Sequence, residues 1–130
     1  MHIRKAHQEF APVDRHHGWE LPPGYAPDSG AAQKILSGSL DEAAGAGLRT
    51  RLLRFPPGFH TSAPFVHTYW EEVLLLEGDL WVGNDASGRG GEEFHPLTYA
   101  CRPPGVFHGP FKSVAGCLLL ECHYFARSLA

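Results

Sequence analysis

No part of this 130-residue chain runs far without meeting a glycine or a proline. The 15 glycines and 11 prolines are spread along its length. An interior glycine costs a helix roughly 1 kcal/mol and a proline about 3 kcal/mol, so a chain broken this often cannot be built from long helices. The pieces between the breaks are short and mostly apolar. Residues 34–40 and 48–55 read as strands, the second halted by Pro56-Pro57-Gly58. Residues 73–77 form a continuous apolar run, as in a strand buried on both faces. Gly78-Asp79 then reads as the tight turn of a hairpin into residues 80–83. A polar loop over 84–91 leads to strands over 97–102 and 117–125, the first of these stopped by Pro103-Pro104-Gly105. Only residues 41–46 and 28–34 read as short helices. This rhythm predicts an all-β sandwich or barrel.

The length suits one domain, which at this size buries about two-thirds of its unfolded surface and needs no disulfide staples. With 43% apolar and 19% charged residues, the balance is that of an ordinary globular chain. Residues 33–130 are expected to form the barrel. Residues 1–32, rich in Pro, Gly and His, are expected to be an arm that packs along the barrel or onto a partner subunit. The net charge of −3 and the scattered basic residues argue against a nucleic-acid partner. No apolar run reaches the ~18 residues of a membrane span. No apolar stretch follows Met1-His2-Ile3-Arg4-Lys5, which argues against a secretory leader. Cys101, Cys117 and Cys122 are odd in number and fit no zinc-finger spacing; they read as reduced thiols of a cytoplasmic protein.

The nine histidines are more than packing requires. In an extended strand, residues of equal parity share a face. His67, Tyr69 and Glu71 therefore point one way and Glu72 the other. An imidazole and a carboxylate on one strand face suit a borderline divalent metal. A surface histidine and a solvated carboxylate would explain either residue alone, so a third ligand must come from elsewhere. His108 is the candidate, since Pro103-Pro104-Gly105 fixes where it emerges.

These residues resemble the two motifs of the cupin superfamily. His67, Glu71 and Gly78 fit the first, and Pro103, Gly105 and His108 fit the second, with about 18 residues between the motifs. The likeness runs over roughly 48–125. It implies a single-domain, double-stranded β-helix (a jelly-roll barrel) around one metal ion. Glu71 to Gly78, Thr98-Tyr99, His108-Gly109-Pro110 and Gly116-Cys117 are similar to one subgroup. That subgroup holds the cupin domain of zinc-binding anti-sigma factors and small dioxygenases that cleave β-diketones, such as acetylacetone, or hydroxyacetophenones. The likeness implies an Fe(II)-type dioxygenase acting on a small organic molecule, with Zn, Ni or Mn as other metals and a homodimer as the assembly. A non-catalytic zinc sensor and a metal-dependent isomerase or lyase are the alternatives.

The sequence departs from the pattern at Phe65, where the first histidine of the usual His-x-His pair falls, and near Leu97, where a glycine opens the second motif. Two histidines and one carboxylate remain, the facial set of non-haem Fe(II) oxygenases. His60 is a further candidate ligand if Pro64 breaks the strand register. Phe65, Tyr69 and Phe107 are candidate substrate-pocket residues. Arg51 and Arg102 read as cross-strand ion-pair partners or as anion binders. His123 reads as structural, Cys101 and Cys117 as buried packing residues, and His16-His17 as a solvated loop pair.

Overall fold

The computed structural model describes residues 4–126. Residues 1–3 of the expected arm and 127–130 of the expected barrel lie outside the described residues. Among the described residues there are nine strands and no helix: β1 (Ala32–Asp41), β2 (Ala46–Phe55), β3 (Phe59–His60), β4 (Trp70–Gly78), β5 (Leu80–Val82), β6 (Glu92–Phe94), β7 (Tyr99–Arg102), β8 (Phe111–Ser113) and β9 (Cys117–Tyr124). Among them, therefore, no helix is long and apolar enough to cross a membrane. One antiparallel sheet runs β1-β2-β9-β4-β7, the other β3-β8-β5-β6. Leu53, Phe55, Val73, Leu75 and Leu119 from the first sheet meet Phe59, Leu80 and Phe111 from the second in a buried core between them. This is the expected jelly roll.

Four local expectations are corrected. Residues 41–46 form no helix: they close the β1–β2 hairpin, with the Ala44 amide donating to the Asp41 carboxylate at 3.0 Å. Too few residues lie there to repay helix nucleation, and Gly45 and Gly47 at φ 62° and 111° turn the chain. Residues 28–31 are turn and residues 32–34 already belong to β1. Gly78-Asp79 is not a hairpin turn, because β4 and β5 belong to different sheets. It is a corner: Gly78 sits at φ 82°, and a Cβ there would lie 1.9 Å from the Gly116 carbonyl oxygen. The Asp79 carboxylate then accepts from the amides of Val114 and Ala115 at 2.8 and 2.7 Å and from the Trp81 indole at 2.8 Å, pinning the crossing. Finally, β4 is buried on one face only. Glu71, Val73 and Leu75 are buried, while Glu72, Leu74 and Leu76 are half-buried.

Several described residues N-terminal to β1 contact the barrel. The Lys5 ammonium donates to the Thr50 hydroxyl at 2.7 Å, Arg15 pairs with Glu77 at 2.6 Å, and the Arg54 guanidinium sits 4.1 Å from the centroid of the Trp19 ring. Pro22 is fully buried, and the Tyr25 ring packs 5.3 Å from Phe65 and 5.8 Å from Phe55.

Candidate metal centre

The inner face of the larger sheet changes character along its strands. At one end Leu53, Leu119 and Leu75 are in register; toward the other, apolar side chains give way to charged ones. The register places Arg49 on β2 beside His123 on β9, His123 beside Glu71 on β4, and Glu71 beside Arg102 on β7. Four polar side chains thus form one row across four strands. The neighbouring row sets Arg51 against Glu121.

The hydrogen bonds of that row fix its protons. Arg49 approaches His123 Nδ1 with Nε at 3.1 Å and Nη2 at 2.8 Å. A guanidinium only donates, so Nδ1 accepts and the ring proton resides on Nε2. His123 Nε2 then donates to Glu71 Oε2 at 2.8 Å. Burial drives His123 down to about 3, so the ring is a neutral link between a guanidinium and a carboxylate. Arg102 Nη1 donates to the other oxygen, Glu71 Oε1, at 2.9 Å. The carboxylate is held on both sides, and each oxygen keeps a lone pair.

Two histidines face that carboxylate from outside the sheets. His67 Nε2 lies 3.7 Å from Glu71 Oε2, and His108 Nε2 lies 3.5 Å from Glu71 Oε1. Residues 65 and 108 are tied by a two-residue bridge: the Phe65 amide donates to the His108 carbonyl at 2.6 Å and the His108 amide returns to the Phe65 carbonyl at 2.8 Å. The Gly105 amide also donates to the His67 carbonyl at 2.9 Å. His108 Nδ1 is 3.3 Å from the Val106 carbonyl, to which it donates, leaving the Nε2 lone pair toward Glu71. Burial lowers both imidazoles below the ordinary histidine value, His67 to about 4, so both rings are neutral near neutral pH.

The donor atoms of His67, Glu71 and His108 all lie within 4.8 Å of one another. Donors bound at about 2.0–2.2 Å to one ion sit no more than about 4.4 Å apart. The 3.5 and 3.7 Å separations meet that limit, and the chemistry of this donor set suits a divalent metal. A second group, Glu71, Glu121 and His123, is equally close. It does not suit an ion. His123 Nε2 carries a proton, and Arg51 holds Glu121 at 2.8 and 2.7 Å.

No family model and no curated protein sequence matches the chain. Solved structures do. An RmlC-like cupin from Shewanella frigidimarina aligns over 97% of both chains at 17% identity and a TM-score of 0.63. An acetylacetone dioxygenase from Acinetobacter johnsonii aligns over 95% of this chain and 78% of its own, at 15% identity and 0.62. The polyketide cyclase RemF from Streptomyces resistomycificus aligns over 92% and 82%, at 21% identity and 0.61.

The chain has the cupin fold.

Within this fold the expected residues fall differently. His67, Glu71 and His108 are brought together. Tyr69 stacks on His67 at 4.6 Å between ring centroids and, like Phe65, lines the central cavity. Phe65 puts an apolar ring 6.2 Å from His108 where the family pattern has a ligand. His60 does not reach the cluster. Phe59 takes the inward position on β3, which turns His60 outward to an exposed site against Gly88. Phe107 fails for the same reason of parity: its neighbour His108 is buried, and Phe107 is 68% exposed. Cys101 is exposed, not buried, while Cys117 is buried.

Arg51 and Arg102 form cross-strand ion pairs, as their strands suggested. Sequence reasoning missed the parts played by Arg49 and Glu121 in the cavity wall and by His123 in holding Glu71. The signal was present: each is a polar residue at the inward parity of an otherwise apolar strand.

Proposed function

We propose that this cupin is a metal-dependent enzyme acting on a small oxygenated organic molecule, with an Fe(II)-type dioxygenase of the aliphatic β-diketone class as the reading best supported. The observation that carries it is the set of three neutral-imidazole and carboxylate donors beside an open cavity. Three protein ligands leave positions for a substrate and a co-reactant, as the facial set of non-haem iron oxygenases does. When bound, the ion supplies a Lewis acid that polarises a chelating enolate.

This chain's own residues do the rest. His67, Glu71 and His108 would hold the ion. The Arg49–His123 pair and Arg102 hold the Glu71 carboxylate in one orientation. Phe65, Tyr25 and Phe111 keep the opposite wall apolar and limit water. The cavity is narrow, about 50 Å³, far below the about 300–1,000 Å³ of pockets for drug-sized ligands. That size favours a compact aliphatic head over a hydroxyacetophenone ring. A closed zinc-sensing site would complete four protein ligands, and Phe65 occupies the position from which the fourth would come.

The test is anaerobic loading with Fe(II), then oxygen consumption over a panel of short β-diketones. Turnover with iron, abolished in Glu71→Gln, supports the reading. Tight zinc binding without turnover by any redox metal refutes it.

A further inference from the structure

The barrel is open along one side. β7 is the edge of the larger sheet and β6 the edge of the smaller one, and the two do not pair. Between them lies a second pocket of about 240 Å³, lined by Val82, Phe94, Thr98 and Ala100. The small side chains of Ala100 on β7 and of Thr98 just before it line this gap and leave it unfilled. Val73, Leu80, Arg102 and Leu119 line both this pocket and the central cavity, so the two adjoin.

Polarity runs in one direction through the pair. Arg102 stands where they meet. Among the described residues it makes one side-chain hydrogen bond, from Nη1 to Glu71, so its other N–H groups remain to meet an oxygen. Beyond it the walls are mostly apolar, with the Thr98 hydroxyl already given to the His95 carbonyl and the Tyr99 hydroxyl to Glu72, until Glu92 at the exposed rim, which would repel an anionic end group.

We propose that this lateral pocket binds the hydrocarbon tail of the same molecule whose oxygenated head meets His67, Glu71 and His108. The ligand class is an enolisable β-diketone or ketone carrying an unbranched alkyl chain with an uncharged end. The inference rests on the metal-centre reading for the head, but the tail subsite stands on its own geometry. Two observations select this occupant. A cavity of about 50 Å³ leaves no room for a substituent beyond the head. The lateral pocket is its apolar continuation, and Arg102 stands at the head end of it.

The first arm of the test needs no metal. The metal-free full-length protein, with ¹³C-labelled methyl groups, is titrated with heptyl methyl ketone. Concerted shifts of the Val82, Ala100 and Leu119 methyl signals are expected. Shifts absent from these three, or confined to other groups, overturn the proposal whatever the metal does.

The second arm uses Co(II)-loaded protein and β-diketones with side chains from methyl to hexyl. Affinity is expected to rise roughly two- to fourfold per added methylene until the pocket is full, as burial of each CH₂ would give. Ala100→Phe and, independently, Val82→Trp are expected to abolish that rise while the visible Co(II) spectrum and acetylacetone binding stay unchanged. A rise that survives in both variants, or affinity flat with chain length in the wild type, overturns the proposal. Failure to bind Co(II) at all counts against the metal reading instead and leaves the first arm to decide the tail subsite.

Discussion

Replacing Arg51 by methionine isolates the cost of the ionic layer inside this barrel. The Arg51 and Glu121 side chains are 5% and 6% exposed, and Arg51 reaches Glu121 Oε1 with Nε at 2.8 Å and Nη2 at 2.7 Å. Its remaining arm, Nη1, donates to Gln33 Oε1 at 2.7 Å, and Gln33 is itself buried. The methionine variant leaves a buried carboxylate with only His123 Nε2 nearby, at 3.6 Å, and that proton is already given to Glu71. Breaking a buried pair from one side costs about 3–5 kcal/mol. That is a fifth or more of the roughly 5–15 kcal/mol typical of a domain. The partner substitution changes the sign of the argument. In Arg51→Met with Glu121→Leu no charge is stranded, and the loss is expected to shrink to about 1–2 kcal/mol, mostly from the orphaned Gln33 oxygen. Urea unfolding followed by tryptophan fluorescence measures both, with Arg51→Lys as a control that keeps the charge but loses the planar fork. A single variant that loses less than about 1 kcal/mol, or a double variant as unstable as the single, would refute the account of this layer.

Three further outcomes follow from the geometry. His67 and His123 are held at about 4 and about 3, below the ordinary value near 6.5. The unfolded chain therefore takes up protons at these rings that the folded one refuses, so metal-free stability is fully present above about pH 6.5 and falls on acidification toward the folded values. The Tm of metal-free protein should be flat from pH 8 to 7 and fall between about 6.5 and 5, before most carboxylates titrate; a flat or rising Tm in that interval contradicts the burial of neutral rings. Leu97 sits at φ 71° and is 81% exposed, so it bears the left-handed penalty with little packing in return. Leu97→Gly is expected to stabilise the fold by about 0.5–1 kcal/mol, measured by the same urea melts, and destabilisation would show that its side chain has a partner. Gly78→Ala should do the opposite and cost at least about 2 kcal/mol, because the added Cβ meets the Gly116 carbonyl; a variant with wild-type stability would mean the corner relaxes freely.

The strands and the three facing donors were legible because their signals are local. Parity fixes His67 with Glu71, a Pro/Gly turn fixes His108, and apolar runs mark β2, β4 and β9. The corner at Gly78 was not legible, since a glycine followed by an aspartate looks the same whether the next strand pairs with the last or crosses to another sheet. What distinguishes them is Asp79 accepting from amides at 114 and 115, far along the chain. His123 was read as structural because its role depends on register across four strands. No local pattern states that β9 lies between β2 and β4. Even so, Arg49 and Arg51 on β2 and Glu121 and His123 on β9 all break the apolar parity toward one end of their strands, and that shared polarity marks one mouth of the barrel.

The bridge between Phe65 and His108 has a consequence for how metal and fold relate. Two backbone hydrogen bonds set the spacing of the segments that carry the imidazoles, and arginine and histidine orient the carboxylate. These contacts are made by the protein alone, so metal loading is expected not to switch folding on as it does in a zinc finger. It adds stability by mass action alone, about 2.7 kcal/mol when free metal exceeds its Kd a hundredfold. A barrel built this way would be able to release an ion and take another while remaining folded. The metal it carried would then be set by what the surrounding solution offers, not by what was present when the chain first folded.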